Sequence, residues 1–445
     1  MENKKKGSLL SLWYLIGPAI IVASVVLGPG SIVTSSKVGC AHGYQLLWVL
    51  GLSGILMMAT VMLSGWIGVS YDDSFCTEIA NRLGRPVAVI VGLTVFGIVA
   101  CFQSSNNLAI LLAVEPFFPD EKIPIGMKIG ILLGLNGLLV GVLYGARKLY
   151  RPIERLMFFM VMVMLVGFAT NFIFARVSLL DVFAGLIPSF PNGFFENGFL
   201  PFEATAVGVD GGESIKFVDP MGAIQGMIAT TFSVAGALYQ AYLVKEKGWS
   251  LANIRNGSID SIFGIAILAG ISALILCTAA AQLHGTIKPA ELTSASEVAR
   301  QLKPLFGSFA YVLFCGGIFA GAFSSFLVNA MIGGSVMADG LGKSGGVDSP
   351  WTKALTIVAL AFGMGVAILA TCFGGDSTIG VIIFAQALTV IGNPGLAMAI
   401  LYLAHLAKRD GKPIPNWLFV VAYVGLVLVS VLAVRTGWGI WLKLT

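Results

Sequence analysis

The sequence predicts an all-α, polytopic membrane protein of about eleven transmembrane helices, with the first and sixth broken in mid-span. Three observations carry this. Hydrophobic residues make up 57% of the 445 and charged residues 11%, with a mean hydropathy of +0.90, whereas a soluble domain carries about 25% charged residues. Apolar windows of about 20 residues, the length a spanning helix needs, recur along the whole chain. Two of those windows, in equivalent places of the two halves, are interrupted by residues that do not continue a helix.

Taken in order, the spans fall near residues 12–38, 45–70, 86–113, 126–146, 153–175, 221–244, 258–283, 304–337, 352–372, 377–407 and 416–436. The first contains Leu27-Gly28-Pro29-Gly30-Ser31, flanked by the apolar runs Ile16–Leu27 and Ile32-Val33. Pro29 removes a backbone donor and clashes with the preceding turn, and the two glycines weaken the helix further. A helix that unwinds here leaves polar backbone in mid-membrane, tolerated only where it lines a cavity or meets a ligand. A plain proline kink is the alternative. The sixth span carries Thr230-Thr231-Phe232-Ser233-Val234-Ala235-Gly236-Ala237, small and polar residues in mid-membrane without a proline. A matched pair of broken spans points to a transporter's binding site. The chain then reads as one domain over 1–445: a first repeat over 12–175, an inverted second repeat over 221–407, and an extra helix at 416–436.

With the N-terminus placed in the cytoplasm, 17 of the 27 lysines and arginines fall in the N-terminus and the loops on that side, among them Lys4, Lys5, Lys6, Arg147 and Lys148. The positive-inside rule favours that orientation and puts the C-terminus outside. The formal charge of +5 is therefore a topology signal and implies no nucleic-acid partner. The Lys4-Lys5-Lys6 start resembles a signal-peptide n-region, but the long apolar run behind it lacks a clear cleavage site and reads as an uncleaved span in the cell (inner) membrane. The stretch Val177–Pro220, rich in Gly, Pro and Phe, reads as a solvated external loop or as a flap over a cavity mouth. Six cysteines, at 40, 76, 101, 277, 315 and 372, lack CxxC spacing and read as free thiols. Gly342-Lys343-Ser344 is not a P-loop, because the glycine required five residues earlier is Met337. The pairs Gly130/Gly134, Gly137/Gly141 and Gly317/Gly321 read as close helix packing and do not establish a dimer. Asp260 reads as a salt bridge with Arg255 or a helix cap, and Tyr71-Asp72-Asp73 with Glu78 as a solvated loop. No nucleophile–base set is visible, so no enzyme is expected, and no cofactor.

Several segments then resemble the NRAMP family of divalent-metal transporters, which have the LeuT-type 5+5 inverted-repeat fold. Gly43-Tyr44-Gln45-Leu46-Leu47-Trp48-Val49-Leu50 is similar to the family's GYxLLWVL, and Tyr239 through Leu243-Val244 to the end of its sixth helix. Asp260 and His284-Gly285 are similar to its seventh, Ala320-Gly321-Ala322-Phe323-Ser324-Ser325 to the eighth-helix AAGQSS, and Ala385-Gln386-Ala387-Leu388 to the tenth-helix SQVL. The resemblance implies secondary active transport of a metal cation. Its metal motifs depart, however. The first-helix DPGN reads Gly28-Pro29-Gly30-Ser31, and the sixth-helix MPHN reads Ser233-Val234-Ala235-Gly236, so the ligand positions hold Gly28, Ser31 and Ser233 and no metal ligand is assigned. A later sixth-helix histidine falls on Gln240, and the third-helix acidic positions on Phe102 and Ser105.

A carboxylate supplies most of the attraction for a dehydrated divalent ion, and a thioether favours soft transition metals. Without either, a hard ion such as Mg²⁺ that keeps its waters is the remaining metal option. The neutral lining left behind suits a small neutral or zwitterionic solute equally well; a non-transporting sensor is the third option. The substrate-binding candidates are Gly28, Gly30 and Ser31 at the first break, Ser233, Ala235 and Gly236 at the second, Ser105 and Asn106 in span three, Ser324 and Asn329 in span eight, and Gln386 in span ten. Ordinary interhelical hydrogen bonding is the competing role for each.

Overall fold

The structure, a computed structural model, describes residues 17–118, 123–145, 150–191, 198–207, 213–289, 292, 309–373 and 378–444. Residues 12–16 of the first expected span, 304–308 of the eighth and 377 of the tenth lie outside these, as do Lys4–Lys6, Arg147 and Lys148. The fold is α-helical throughout the spans. Span one is two helices, α1 (Pro18–Val26) and α2 (Pro29–His42), bent by 58°. Pro29 opens α2 where its missing N–H is no loss. Spans two to five are α3 (Leu47–Ser70), α5 (Arg85–Val114), α6 (Ile125–Gly145) and α7 (Tyr150–Phe174), with a short helix, α4 (Phe75–Leu83), between α3 and α5. Span six is α9 (Gly222–Thr231) and α10 (Val234–Glu246), separated by Phe232-Ser233. Then come α11 (Ile254–Leu283), α12 (Phe309–Gly340) and α13 (Pro350–Phe373). Span ten is also interrupted: α14 (Thr378–Leu388) passes through a 3₁₀ turn at Thr389–Gly392, just ahead of Pro394, into α15 (Asn393–Arg409). Span eleven, α16 (Asn416–Leu444), runs past the expected 436.

Burial orders these helices. The most apolar window of Gly222–Glu246 is 100% buried, against 17% for that of Ile125–Gly145. Span six is thus central and span four peripheral. In α6 the buried residues are Leu132, Asn136, Leu139 and Leu143, a single stripe, while the opposite face turns outward to lipid. Gly130, Gly134, Gly137 and Gly141 have nothing within 4 Å of where a Cβ would stand, so these two GxxxG pairs do not mark packing. The third pair does: a Cβ at Gly317 would stand 3.0 Å from the Phe168 ring, and one at Gly321 3.4 Å from Leu27 O. All six cysteines are free thiols.

At one end of the bundle Asp339, in α12, ties three segments together. Ser74 Oγ and Thr77 Oγ1 donate to its Oδ1 at 2.6 Å, while Cys76 N (2.9 Å) and Tyr242 OH (2.6 Å) donate to Oδ2. The carboxylate thereby caps α4 and joins α10 to α12. Tyr71 OH donates to Leu403 O at 3.1 Å, Lys245 Nζ to Asp72 O at 3.0 Å, and Lys247 pairs with Glu154 at 2.9 Å. Burial pushes the Tyr71 phenol up to about 12, so it remains a neutral donor. Glu78 is 8% exposed and pairs with Arg82 at 2.7 Å. The segment read as a solvated loop is therefore a packed latch, apart from exposed Asp72 and Asp73.

At the opposite end the long connection is built rather than merely solvated. It contains α8 (Leu179–Gly185) and an antiparallel hairpin, β1 (Phe202–Val207) with β2 (Glu213–Val218), in register Phe202↔Val218. Trp48 Nε1 donates to Ser189 O at 2.9 Å. Arg435, in α16 and only 1% exposed, donates to Phe199 O at 2.8 Å, to Gln225 Oε1 and to Asp219, fastening span eleven to the start of α9.

Glycine substitutions test this packing. A Cβ at Gly264 would stand 2.7 Å from the Ala19 carbonyl oxygen, so Gly264→Ala is expected to lower stability by about 1–3 kcal/mol. Gly134→Ala, into open space, gains helix propensity of up to about 1 kcal/mol. Thermal unfolding of the two variants in detergent checks the contrast; equal behaviour would refute the α1–α11 packing.

Candidate substrate site at the paired helix breaks

The break in span one ends α1 in the protein interior, and the carbonyls of its last turn need partners. Each has one. Ala23 O accepts from Leu27 N at 2.8 Å. Ser24 O accepts from Ser324 Oγ (3.1 Å), and Val25 O from Ser325 Oγ (2.6 Å), with Asn329 Nδ2 at 3.5 Å. Val26 O accepts from Ser31 Oγ (3.0 Å) and Gly28 N (2.8 Å). Span eight therefore caps the broken helix with side chains, and Ser31 closes it from the far side of the gap.

The second break is smaller. Ser233 is the N-cap of α10, its Oγ accepting from Gly236 N at 3.3 Å. A Cβ at Gly236 would stand 3.0 Å from Val26 Cγ2, so the glycine lets the second break pack directly on the first. Span three completes the wall. Gln103 Nε2 donates to Phe326 O (2.5 Å), Asn106 Nδ2 to Gln103 Oε1 (3.3 Å), Asn107 Nδ2 to Gln103 O (2.8 Å) and Asn136 Nδ2 to Asn107 Oδ1 (2.8 Å). This amide chain leaves Asn106 Oδ1 buried without a partner, 3.6 Å from where a Cβ of Gly28 would stand. An unpaired buried acceptor costs about 1–3 kcal/mol, and this one faces the break.

The first half of span one is also gripped from outside. Asp260, 0% exposed in α11, accepts from Gly17 N (2.7 Å) and Ala19 N (2.9 Å). It is the helix cap, made to α1 across 243 residues, and the Asp260–Arg255 bridge does not occur.

Comparison with known proteins places this architecture. The family model for "natural resistance-associated macrophage protein-like" chains matches residues 19–439. The chain belongs to the NRAMP family. A divalent metal cation transporter (MntH) of Deinococcus radiodurans is 24% identical over 436 residues, covering 96% of this chain and 89% of that one. One from Mycobacterium tuberculosis is 23% identical over 338 residues, covering 76% and 73%. Among solved structures, a manganese transporter of Eremococcus coleocola in complex with an aromatic bis-isothiourea compound superposes with a TM-score of 0.75 at 17% identity, covering 96% of this chain and 87% of that one. The fold is the LeuT-like fold of NRAMP transporters; among the described residues ten helices are long and apolar enough to cross a membrane, or eleven when the bent pair counts as one span.

Within this NRAMP fold the sequence candidates fall out as follows. Gly28, Ser31, Asn106, Ser324 and Asn329 meet at the first break, with Ser233, Ala235 and Gly236 against it through Val26. Gly30 belongs to the first turn of α2, its carbonyl accepting from Thr34 Oγ1 at 2.7 Å. Ser105 is 0% exposed in the same stretch of α5 as Asn106. The side chain of Gln386 lies outside the described part of span ten. Among the described residues no group of three or more His, Cys, Asp or Glu could hold a metal ion. The sequence reading passed over Asn136, which anchors the amide chain from span four, as well as Lys37 and Arg435. A charged side chain inside an apolar span was the available signal for the last two.

The capping scheme is testable. Ser325→Ala strips Val25 O of its 2.6 Å partner and is expected to cost about 1–3 kcal/mol. Ser233→Ala is expected to cost about 1 kcal/mol through the lost N-cap. Asn329→Ala, removing a contact at 3.5 Å, should cost less than either. Thermal unfolding ranks the three, and an Asn329→Ala loss exceeding that of Ser325→Ala would contradict the scheme.

Proposed function

We propose that this chain is a secondary transporter that moves a small neutral or zwitterionic solute by alternating access around the paired breaks, and that it is not an enzyme. The observation that carries this reading is the unpaired Asn106 Oδ1 facing Gly28, with no carboxylate beside it among the described residues. A neutral amide acceptor suits an ammonium, hydroxyl or amide donor on the substrate. A bare divalent ion would enter with no countercharge, and its desolvation would go uncompensated. To coordinate such an ion through Val25 O or Val26 O, the hydroxyls of Ser325 and Ser31 would first have to be displaced.

Gly28, Gly30, Ser31, Ser105, Asn106, Ser233, Ala235, Gly236, Ser324, Asn329 and Gln386 are proposed as the lining, divided by role. Ser31, Ser324 and Asn329 hold the break open as a fixed polar surface, and Asn106 and the backbone at Gly28 meet the substrate. The inverted repeats over 12–175 and 221–407 supply the two gates, with α16 outside them. The positive-inside count supports placing the Asp339 end in the cytoplasm and the hairpin end outside.

A second reading is favoured by the relatives, which are named divalent metal cation transporters: a cation of the Mg²⁺ kind that keeps its water shell. Its waters are donors, and Asn106 Oδ1 would accept from one of them.

Calorimetric titration separates these readings. Wild-type protein is expected to give no binding heat with Mn²⁺. The variant Gly28→Asp/Ser233→Met/Ser325→Ala is expected to bind it. Ser325→Ala belongs in the set because a Cβ at Gly28 would stand 2.8 Å from Ser325 Oγ, and because it frees Val25 O as a ligand. Mn²⁺ binding by wild type would overturn the neutral-site reading. A thermal-shift screen completes the test, since a ligand at 100 times its Kd stabilises by about 2.7 kcal/mol. Stabilisation by organic solutes is the expected result, and stabilisation by Mg²⁺ alone would transfer the case to the hydrated cation. Uptake or exchange in proteoliposomes would exclude a non-transporting sensor.

A further inference from the structure

At the hairpin end a cavity of about 330 Å³ opens between α2, the start of α9 and α14. That volume lies at the lower edge of small-molecule sites. Beside its lining residue Ile383, Thr34 approaches Gly226: a Cβ on the glycine would stand 2.8 Å from Thr34 Cγ2 and 3.9 Å from Ile383. Thr34 is 0% exposed, three residues along α2 from Ser31. The cavity therefore stands along α2 from the first break, as a vestibule whose lining on that helix starts at Lys37, one turn beyond Thr34.

The ionisable lining residues are Lys37, His42 and Asp219. Asp219 is already engaged: its carboxylate accepts from Arg435 and from Met221 N at 3.1 Å, at the N-terminus of α9. Arg435 and the helix end together offset its charge. Lys37 is half-buried in α2, and among the described residues no carboxylate pairs with it. Among the described residues the vestibule thus presents one unbalanced ammonium, with His42 five residues further along the same helix. Lys37 lies six residues beyond Ser31, roughly 9 Å up α2 at 1.5 Å per residue. A charged residue inside a span marks a substrate path by default.

We propose that this vestibule is an entry site for the carboxylate of an anionic or zwitterionic solute, held by Lys37 with His42 beside it, ahead of passage past Thr34 to the break. This rests on the transporter reading and deepens it. The carboxylate is recognised at the entrance, and the donor end is received by Asn106 Oδ1.

The test reads the vestibule without any transport. Ala223, which lines the cavity with Lys37, is changed to cysteine, and the reaction of the parent chain, whose exposed thiol is Cys372, is subtracted. Rates with the anionic reagent methanethiosulfonate ethylsulfonate and its cationic trimethylammonium counterpart are each normalised to a free thiol in solution. The expected anionic-to-cationic ratio exceeds one several-fold, falls toward one in Lys37→Gln and inverts in Lys37→Glu. A ratio at or below one with Lys37 present, or one unmoved by Lys37→Gln, overturns the proposal.

Succinate, glycine and choline are then tested for protection of the cysteine. Succinate and glycine are expected to protect, at concentrations about tenfold lower with Lys37 than in Lys37→Gln, while choline gives none. Protection by choline or Mn²⁺ in preference to succinate overturns it, as does protection by none of them. Retained thermal unfolding of the unliganded Lys37→Gln protein shows that the variant is folded. Loss of proteoliposome uptake with the reagent ratio intact would instead fault the transport reading, so the two failures are distinguishable.

Discussion

The structure depends on one constraint: α1 ends inside the membrane, and its last carbonyls cannot be left to lipid. In hydrocarbon each unsatisfied backbone group costs several kcal/mol. The four carbonyls from Ala23 to Val26 are met by Leu27 N, Ser324, Ser325 and Ser31, with Gly28 N also on Val26 O. Three consequences follow. Span eight must lie against span one at Ser324-Ser325. Small residues must stand at the crossing, as Gly321 does beside Leu27 O. The second break must approach closely, as Gly236 allows. The polar residues at the centre are therefore first a solution to a backbone problem, and only the surplus is free for a ligand. Among the described residues that surplus includes Asn106 Oδ1 at the first break and Thr231 Oγ1 beside the second.

Much of this was legible in the sequence, for reasons that differ between elements. The spans follow from apolar length alone, which bilayer thickness dictates, and even the weakly patterned span four stands at Ile125–Gly145 against an expected 126–146. The first break follows from Gly-Pro-Gly chemistry, and the second from a polar run that supplies its own N-cap at Ser233. Neither the latch around Asp339 nor the grip of Asp260 on α1 could be read from spacing, because the partners are 97 and 243 residues apart. Tyr71 and Glu78 look like loop residues in sequence, yet Tyr71 reaches Leu403 O and Glu78 is buried against Arg82. The GxxxG pairs of α6 failed for the opposite reason. A glycine spacing records only the room it creates, and span four has no neighbour on that face.

The centre and the vestibule tell a consistent electrostatic story. At the break the carboxylate position is Gly28, and the space an aspartate would use is taken by Ser325 Oγ, 2.8 Å from the Cβ site. The substitution is thus accommodated by a neighbour and is not an isolated loss. In span three the acidic positions are Phe102 and Ser105, both buried. Above the break, Lys37 contributes positive charge while Asp219 is offset by Arg435. Under the proposed reading each of these features lowers the attraction for a cation along the path.

Alternating access then has a definite mechanical requirement. The Asp339 end is held by charge-assisted bonds from Ser74, Cys76, Thr77 and Tyr242, by Lys247–Glu154, and by Asp260 on the N-terminus of α1. Near the vestibule, Thr34 stands against Gly226 in an apolar contact. Bonds to charged groups are worth about 1.5–3 kcal/mol each, whereas a methyl against a glycine is worth a few tenths. Under the proposed transport cycle, opening the hairpin end must also contend with Arg435, which donates to Phe199 O, Gln225 Oε1 and Asp219. Opening the other end requires α1 to leave Asp260 and α10 to leave Asp339 together. Those bonds lie on both halves of the broken pair, and a substrate bridging Gly28 and Asn106 touches the elements they hold. Binding at the break is where the free energy to release them can be supplied, which is how a site with few ligands of its own can still govern both gates.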